Sequence, residues 1–358
     1  MPQPGTGGSR VQPAGGFGRR LAEAVVTKRS PVCVGLDPVL DRLPPGLVEA
    51  ARRRYGRSFE AAARAFLEFG CAIIDAVAPL AAAVKPQSAF YERYGHRGVW
   101  ALGETVRHAH RRGLLVILDA KRADIGNTSE AYADAAIGRS PLPGGRLAAA
   151  CGADAVTVNP YLGEEALRPF VLQAAALGKG LFLVVRTSNP GSDEIQEAPL
   201  AGGGRVCDLA AGLAARLNAL AEGEPGSPAP GPDGVRHRGD LGRTPGTGPC
   251  QPGYGPVGVV VGANRPEEAA RLREILPRAW FLLPGYGAQG AGAADVLPFF
   301  DPDGLGALVS ASRSIIYAFA SAPTGPRQGG PPPYALAARA AVERMLFELQ
   351  AVTARYPR

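Results

Sequence analysis

LLVILDAKRADIGNT, residues 114–128, begins as an unbroken apolar run and ends in a carboxylate, an ammonium and a second carboxylate: Asp119, Lys121 and Asp124. A short run rich in Val, Ile and Leu and stopped abruptly by charge has the pattern of a parallel strand covered on both faces. Seven more such runs occur: VCVGLD (32–37), AAVKP (82–86), AVTVNP (155–160), LFLVVRTS (181–188), VGVVVGA (257–263), AWFLLPG (279–285) and ALVSASR (307–313). Between them lie Ala/Leu/Arg/Glu stretches with helical spacing, such as SFEAAARAFLEFGCAIIDAV (58–77) and EALRPFVLQAAALG (165–178), and YALAARAAVERMLFELQAV (334–352) follows the eighth. Eight strand–helix units in order predict an α/β fold of the (β/α)8 barrel type. A doubly wound sheet is the alternative, but its Gly-rich first turn is missing: VCVGLDPVL contains no G-x-G-x-x-G.

The chain has 358 residues, 46% hydrophobic and 20% charged, enough to bury a large core, which excludes disorder as its global state. Its 48 Gly and 34 Pro are concentrated in places. Residues 1–18 hold six Gly and three Pro and read as a flexible tail; residues 222–256 hold ten Gly and eight Pro and read as a disordered surface insertion. A shorter segment of the same kind spans 322–333. The expected organisation is a single barrel domain over 19–358, interrupted by 222–256.

Several function classes fall away. No stretch of 18 apolar residues exists, and MPQPGTGGSR lacks the charged-then-apolar layout of a secretory signal, so the expectation is a soluble, cytoplasmic protein with no membrane partner. Five cysteines without C-x-x-C spacing read as reduced thiols, and four scattered histidines offer no zinc pattern, so no metal is expected. The net charge of +7 is spread along the chain without basic blocks alternating with aromatics, which points to an anionic small substrate or to solubility rather than to nucleic acid.

Of 39 basic residues four are Lys (Lys28, Lys85, Lys121 and Lys179) and the other 35 are Arg. Lysine can give up a proton and arginine cannot, so a lysine at a strand end here is a candidate for chemistry. Barrels place their reacting groups at the C-terminal ends of strands, which directs attention to Asp37, Lys85, Asp119, Lys121, Asp124, Asn159, Thr187, Ser188, Gln289 and Arg313. Strand alternation puts Asp119 and Lys121 on one face. An ammonium held between carboxylates is aimed and charged, suited to delivering a proton to a developing carbanion. Lys85 ends the neighbouring strand, so an alternating Lys/Asp/Lys/Asp chain becomes possible; a buried ion pair closing the barrel top is the structural alternative. PGYGAQG (284–290) and Arg313 in SRSIIYA (312–318) follow the seventh and eighth strands, where barrels often bind phosphate, although a tight turn also explains the glycines.

Taken together, DAKRADIGNTSEAYA (119–133), VKPQSAFYERYG (84–95), VTVNPYLG (156–163), RTSNPGS (186–192) and PGYGAQG (284–290) resemble the orotidine 5′-phosphate decarboxylase family, in its longer bacterial branch, from GLDP to SRSI. Ala123 stands where that family usually has Gly or His. The resemblance implies decarboxylation of orotidine 5′-monophosphate to uridine 5′-monophosphate, the last step of de novo pyrimidine synthesis, with no cofactor. It implies Lys121 as proton donor to C6, Asp119 beside the substrate carboxylate, and Lys85 between the ribose and the carboxylates. Asp124 and Thr128 would come from the neighbouring subunit of a homodimer. Asp37 and Thr128 would meet ribose hydroxyls, Ser188 or its neighbour Thr187 the base, and Gln289 and Arg313 the phosphate; Asn159 is left either in the site or as a loop cap. Two other enzymes share the pattern less well: a sugar-phosphate decarboxylase of the same superfamily, and an aldolase using Lys121 as a Schiff base, which the flanking carboxylates oppose. A catalytically dead scaffold whose insertion binds a partner would have no need of the Lys/Asp set.

Overall fold

The computed structural model describes residues 15–223, 253–321 and 330–356. Most of the 1–18 tail and of the 222–256 insertion, and most of the 322–333 segment, lie outside the described residues.

All eight expected strands form, and they close in sequence order into a parallel barrel: β1 (Val32–Leu36), β2 (Ala83–Pro86), β3 (Leu115–Arg122), β4 (Ala155–Val158), β5 (Gly180–Arg186), β6 (Val257–Val261), β7 (Phe281–Pro284) and β8 (Ala307–Ala311), which pairs back onto β1. Every residue of β1, β2, β4, β6 and β8 is buried, which is why these strands read as continuous apolar runs rather than as alternating ones. Helices pack outside. Phe59–Val77 starts at Ser58, whose hydroxyl accepts the Ala61 N–H, and buries Phe66, Phe69, Ile73 and Ile74 on one stripe. Among the described residues no helix is long and apolar enough to cross a membrane.

The floor of the barrel is sealed by residues that composition alone assigns to loose segments. The first helix begins at Phe17, whose ring meets Phe182 edge-on at 5.9 Å, and the indole of Trp280 donates to Gly18 O at 3.1 Å. A Cβ on Gly18 would lie 2.1 Å from Tyr254 O, so only glycine lets the chain returning at Tyr254 cross the helix here. Tyr254 itself packs against Trp280 with ring centroids 4.8 Å apart and the planes tilted by 40°. The ordered floor therefore reaches two residues into the 1–18 range and reclaims the end of the 222–256 range.

A charged hub completes the floor. Asp154, just before β4, accepts Arg20 (2.9 Å), His110 (2.9 Å), Lys179 (3.5 Å) and the Val116 N–H (2.9 Å). Burial would raise its carboxyl, but the His110 hydrogen bond and the charges of Lys179, His110 and Arg20 prevail and hold it well below the usual carboxylate range. Lys179 also donates to Gly152 O and Lys28 to Ala81 O, so both floor lysines tie down loop carbonyls.

Candidate active site

At the opposite end, β2 and β3 deliver Lys85, Asp119 and Lys121 to one cavity of about 220 Å3, which Thr157, Thr187, Ser188, Asn189, Val260, Leu282 and Pro284 also line. Lys85 Nζ lies 2.8 Å from Asp119 Oδ2 and Lys121 Nζ 2.6 Å from Asp119 Oδ1, so one buried carboxylate holds two ammoniums, one on each oxygen. Burial favours the neutral form of Asp119, yet the two adjoining ammoniums and the hydrogen bonds they donate win and keep it far below its ordinary value. For Lys85 burial pulls downward, and the carboxylates of Asp119 and Asp37 reverse it, leaving the ammonium firmly charged.

Simple strand alternation does not account for the meeting of Asp119 and Lys121. The β3–β4 register shifts between Leu118, opposite Val156, and Arg122, opposite Val158, so residues 119–121 form a bulge. Lys121 sits there at φ 47°, a left-handed conformation that costs a non-glycine residue about 1–2 kcal/mol. Thr157 braces it: the hydroxyl accepts the N–H groups of Ala120 (3.0 Å) and Lys121 (2.9 Å) and donates to Asp119 Oδ1 (2.9 Å). Motif reading passes over Thr157 because a β-branched residue in a strand is ordinary; its only signal is a hydroxyl among Val156 and Val158 directly across from the charged end of β3.

Of the other candidates, Asp37 follows β1 with Oδ1 buried and without a hydrogen-bond partner, within reach of the charge on Lys85. Its backbone is set by Tyr317, whose hydroxyl donates to Asp37 O (3.0 Å) and accepts the Val39 N–H (2.7 Å), a link that the sequence does not advertise. Ser188 lines the cavity, whereas the hydroxyl of Thr187 is taken up by Asn189 (2.6 Å) and Gln196 (2.9 Å). That loop is clamped from below by Arg186, 1% exposed, which grips Ser192 (2.6 Å), Asp193 (2.5 Å) and Glu197 (2.9 Å). Asn159 caps its own loop, accepting the Tyr161 N–H at 3.0 Å, and does not line the cavity.

Gln289 is exposed on the turn after β7, and Arg313, also exposed, opens the short helix Arg313–Ile316 after β8. The PGYGAQG glycines serve the turn itself: Gly285 lies at φ 104° and Gly287 at 71°, and the N–H groups of Gly287, Gln289 and Gly290 bond to Ala291 O, Gly285 O and Gly287 O. An anion at this corner would therefore be held by side chains more than by that turn's amides. Asp124 accepts its neighbour Ile125 N–H at 2.9 Å and stands apart from the cavity of its own chain, as does Thr128, exposed on the helix Gly126–Ala136. A single chain thus assembles Lys85, Asp119 and Lys121 of the expected alternating set and leaves Asp124 outside.

Two ammoniums around a single aspartate, in the mouth of a closed parallel barrel, place this protein among the enzymes of the (β/α)8 class. Residues 30–318 match the model of the orotidine 5′-phosphate decarboxylase / HUMPS family, and the chain belongs to that family; it is an enzyme of the carboxy-lyase class. It is 40% identical over 307 residues to the orotidine 5′-phosphate decarboxylase of Rhodopirellula baltica, covering 84% of this chain and 88% of that one. Over 308 residues it is 37% identical to the Haloarcula marismortui orotidine 5′-phosphate decarboxylase, with 86% and 89% covered. The structure of Leishmania donovani OMP decarboxylase aligns with 96% of this chain and 100% of its own, at TM-score 0.63 and 27% identity.

Proposed function

We propose that this enzyme converts orotidine 5′-monophosphate to uridine 5′-monophosphate in the cytoplasm, as the last step of de novo pyrimidine synthesis, with no metal or cofactor. The convergence of Lys85, Asp119 and Lys121 on one cavity carries the reading. The bond between C6 and the carboxylate breaks, its electron pair stays on C6, CO2 leaves, and a proton from the Lys121 ammonium completes the product. An ammonium fixed in place before the charge develops stabilises the transition state without having to reorganise. Asp119 holds that ammonium and faces the departing carboxylate, Asp37 and Lys85 serve the ribose side, and Ser188, the hydroxyl left unengaged by its own loop, reads the base. Gln289 and Arg313 take the phosphate.

The test is loss of the orotate absorbance when the purified protein meets orotidine 5′-monophosphate in excess chelator. Turnover at an undiminished rate supports the reading and its independence of metal. Absence of turnover both with and without chelator sinks it.

The homodimer belongs to the same proposal. Ile125, Tyr132, Tyr161 and Leu162 stand exposed on the segments after β3 and β4, Tyr161 by 83%, in the neighbourhood of Asp124 and Thr128. Such apolar exposure suits a self-complementary interface that sends Asp124 and Thr128 into the other subunit's mouth. Inactive Lys121→Ala and Asp124→Ala chains, coexpressed, are then expected to recover about one quarter of wild-type activity, because half of random dimers are mixed and each mixed dimer has one intact site. If the mixture shows only the sum of the two variants, the sites are not shared.

A further inference from the structure

We infer that Thr157 is a positioning residue for the proton transfer: its one hydroxyl sets the β3 bulge and thereby fixes where the Lys121 ammonium and the Asp119 carboxylate stand relative to each other. The inference rests on the reading of Lys121 as proton donor. Its physical basis is complete saturation of one side chain. A threonine hydroxyl offers one donor and two acceptor sites. Here the donor goes to Asp119 Oδ1, and both acceptor sites are taken by the N–H groups of Ala120 and Lys121. Those two amides are the ones that the bulge withdraws from the β3–β4 ladder, since pairing stops at Leu118–Val156 and resumes at Arg122–Val158. Thr157 lies between the two β4 partners and faces the gap.

Thr157 is 1% exposed and its bonds to the Ala120 and Lys121 N–H groups are partly buried, so removing the hydroxyl takes away the protein acceptor of both amides and frees the bulged backbone to move. Lys121 has the further burden of its left-handed φ of 47°, a conformation that persists only where surrounding groups over-determine it. β-branching at residue 157 restricts χ1 and keeps the hydroxyl aimed. The same atom therefore controls the backbone under the proton donor and one oxygen of the carboxylate that holds it.

The experiment compares Thr157→Val, Thr157→Ser and Thr157→Cys in the full chain. Four quantities are read: kcat for orotidine 5′-monophosphate, affinity for uridine 5′-monophosphate, melting temperature, and hydrogen exchange of the peptide containing Ala120 and Lys121. Valine keeps the shape and deletes the hydroxyl, and is expected to lower kcat about 100-fold, the size of effect a small misplacement produces, while product affinity changes less than about threefold. Exchange at Ala120 and Lys121 rises at the same time. Serine restores the hydroxyl and is expected to keep kcat within about threefold of wild type; cysteine, a weak donor and acceptor, follows valine and decides the matter if the valine variant does not fold.

Valine or cysteine with wild-type kcat overturns the inference. So does serine falling as far as valine, which would assign the role to shape, and so does a joint fall of kcat, product affinity and melting temperature, which would be a loosened barrel. A wild-type protein that turns nothing over refutes the proposed function instead, and the exchange result still reports whether Thr157 holds the bulge.

Discussion

Lys121→Ala is expected to lower kcat for orotidine 5′-monophosphate by about 10⁴-fold or more, with binding of uridine 5′-monophosphate changed only a few-fold. Two contributions vanish together. Positioned proton transfer is worth about 10²–10⁴-fold, and one preorganised group stabilising developing charge about 10²–10³-fold. Neither acts on the product, which carries no charge at C6. The fold should survive, because the Lys121 side chain is 43% exposed and Asp119 keeps both Lys85 and Thr157 after the change. Lys121→Arg separates the two contributions, since a guanidinium supplies positive charge and cannot release its proton; it should remain closer to alanine than to wild type. Single-turnover decarboxylation alongside product titration measures both effects. An alanine variant retaining more than one part in a hundred of the wild-type rate would remove Lys121 from the role of donor.

At the other end of the barrel, Asp154→Asn is expected to lower the unfolding free energy at pH 7 by about 3–5 kcal/mol, the usual consequence of stripping one partner from a buried ionic cluster. Arg20, His110 and Lys179 would then face a neutral amide, and the Val116 N–H would lose a charged acceptor. The sign of the pH dependence follows from the depressed carboxyl. A group held low in the folded state contributes stability above its unfolded value, near 4, and that contribution fades as pH falls toward the folded value. Wild type should therefore lose its advantage over Asp154→Asn in acid, and urea unfolding of both at pH 7 and below pH 4 checks it. A difference that is constant across that window would mean that Asp154 acts through shape rather than charge.

Charge at the ends of strands was the most readable part of the molecule. Lys85 and Asp119 announce themselves because each terminates an apolar run, and the scarcity of lysine marks Lys121. The bulge that brings Lys121 to Asp119 was not readable, because its cause is a hydroxyl on the next strand, and no local spacing encodes a contact between residues 36 or 37 positions apart. Tyr317 and Arg186 were missed for the same reason: one pins Asp37 from the far end of the chain, and the other looks like the polar end of β5 until its carboxylate partners surround it. Composition misled at the floor. Windows dense in Gly and Pro dilute a single anchoring aromatic, so Phe17 and Tyr254 were grouped with segments they in fact terminate. At the turn carrying Gln289, residue type was legible and use was not, since the turn consumes amides that the sequence leaves available on paper.

The distribution of lysine also decides how this protein can be handled by chemistry. All four side-chain amines are committed: two to the Asp119 carboxylate, one to the Ala81 carbonyl, and one to the Gly152 carbonyl and Asp154. An activated ester, a cyanate or an aldehyde-bearing resin ordinarily finds many dispensable lysines on a protein surface and spreads its attachments harmlessly among them. On this chain each side-chain amine that reacts lies either in the cavity at the barrel mouth, paired with Asp119, or among the contacts that tie down the barrel floor. Labelling, crosslinking or immobilisation through lysine would thus inactivate or loosen the enzyme in proportion to its extent, and a probe meant to leave it working has to be attached through some other functional group.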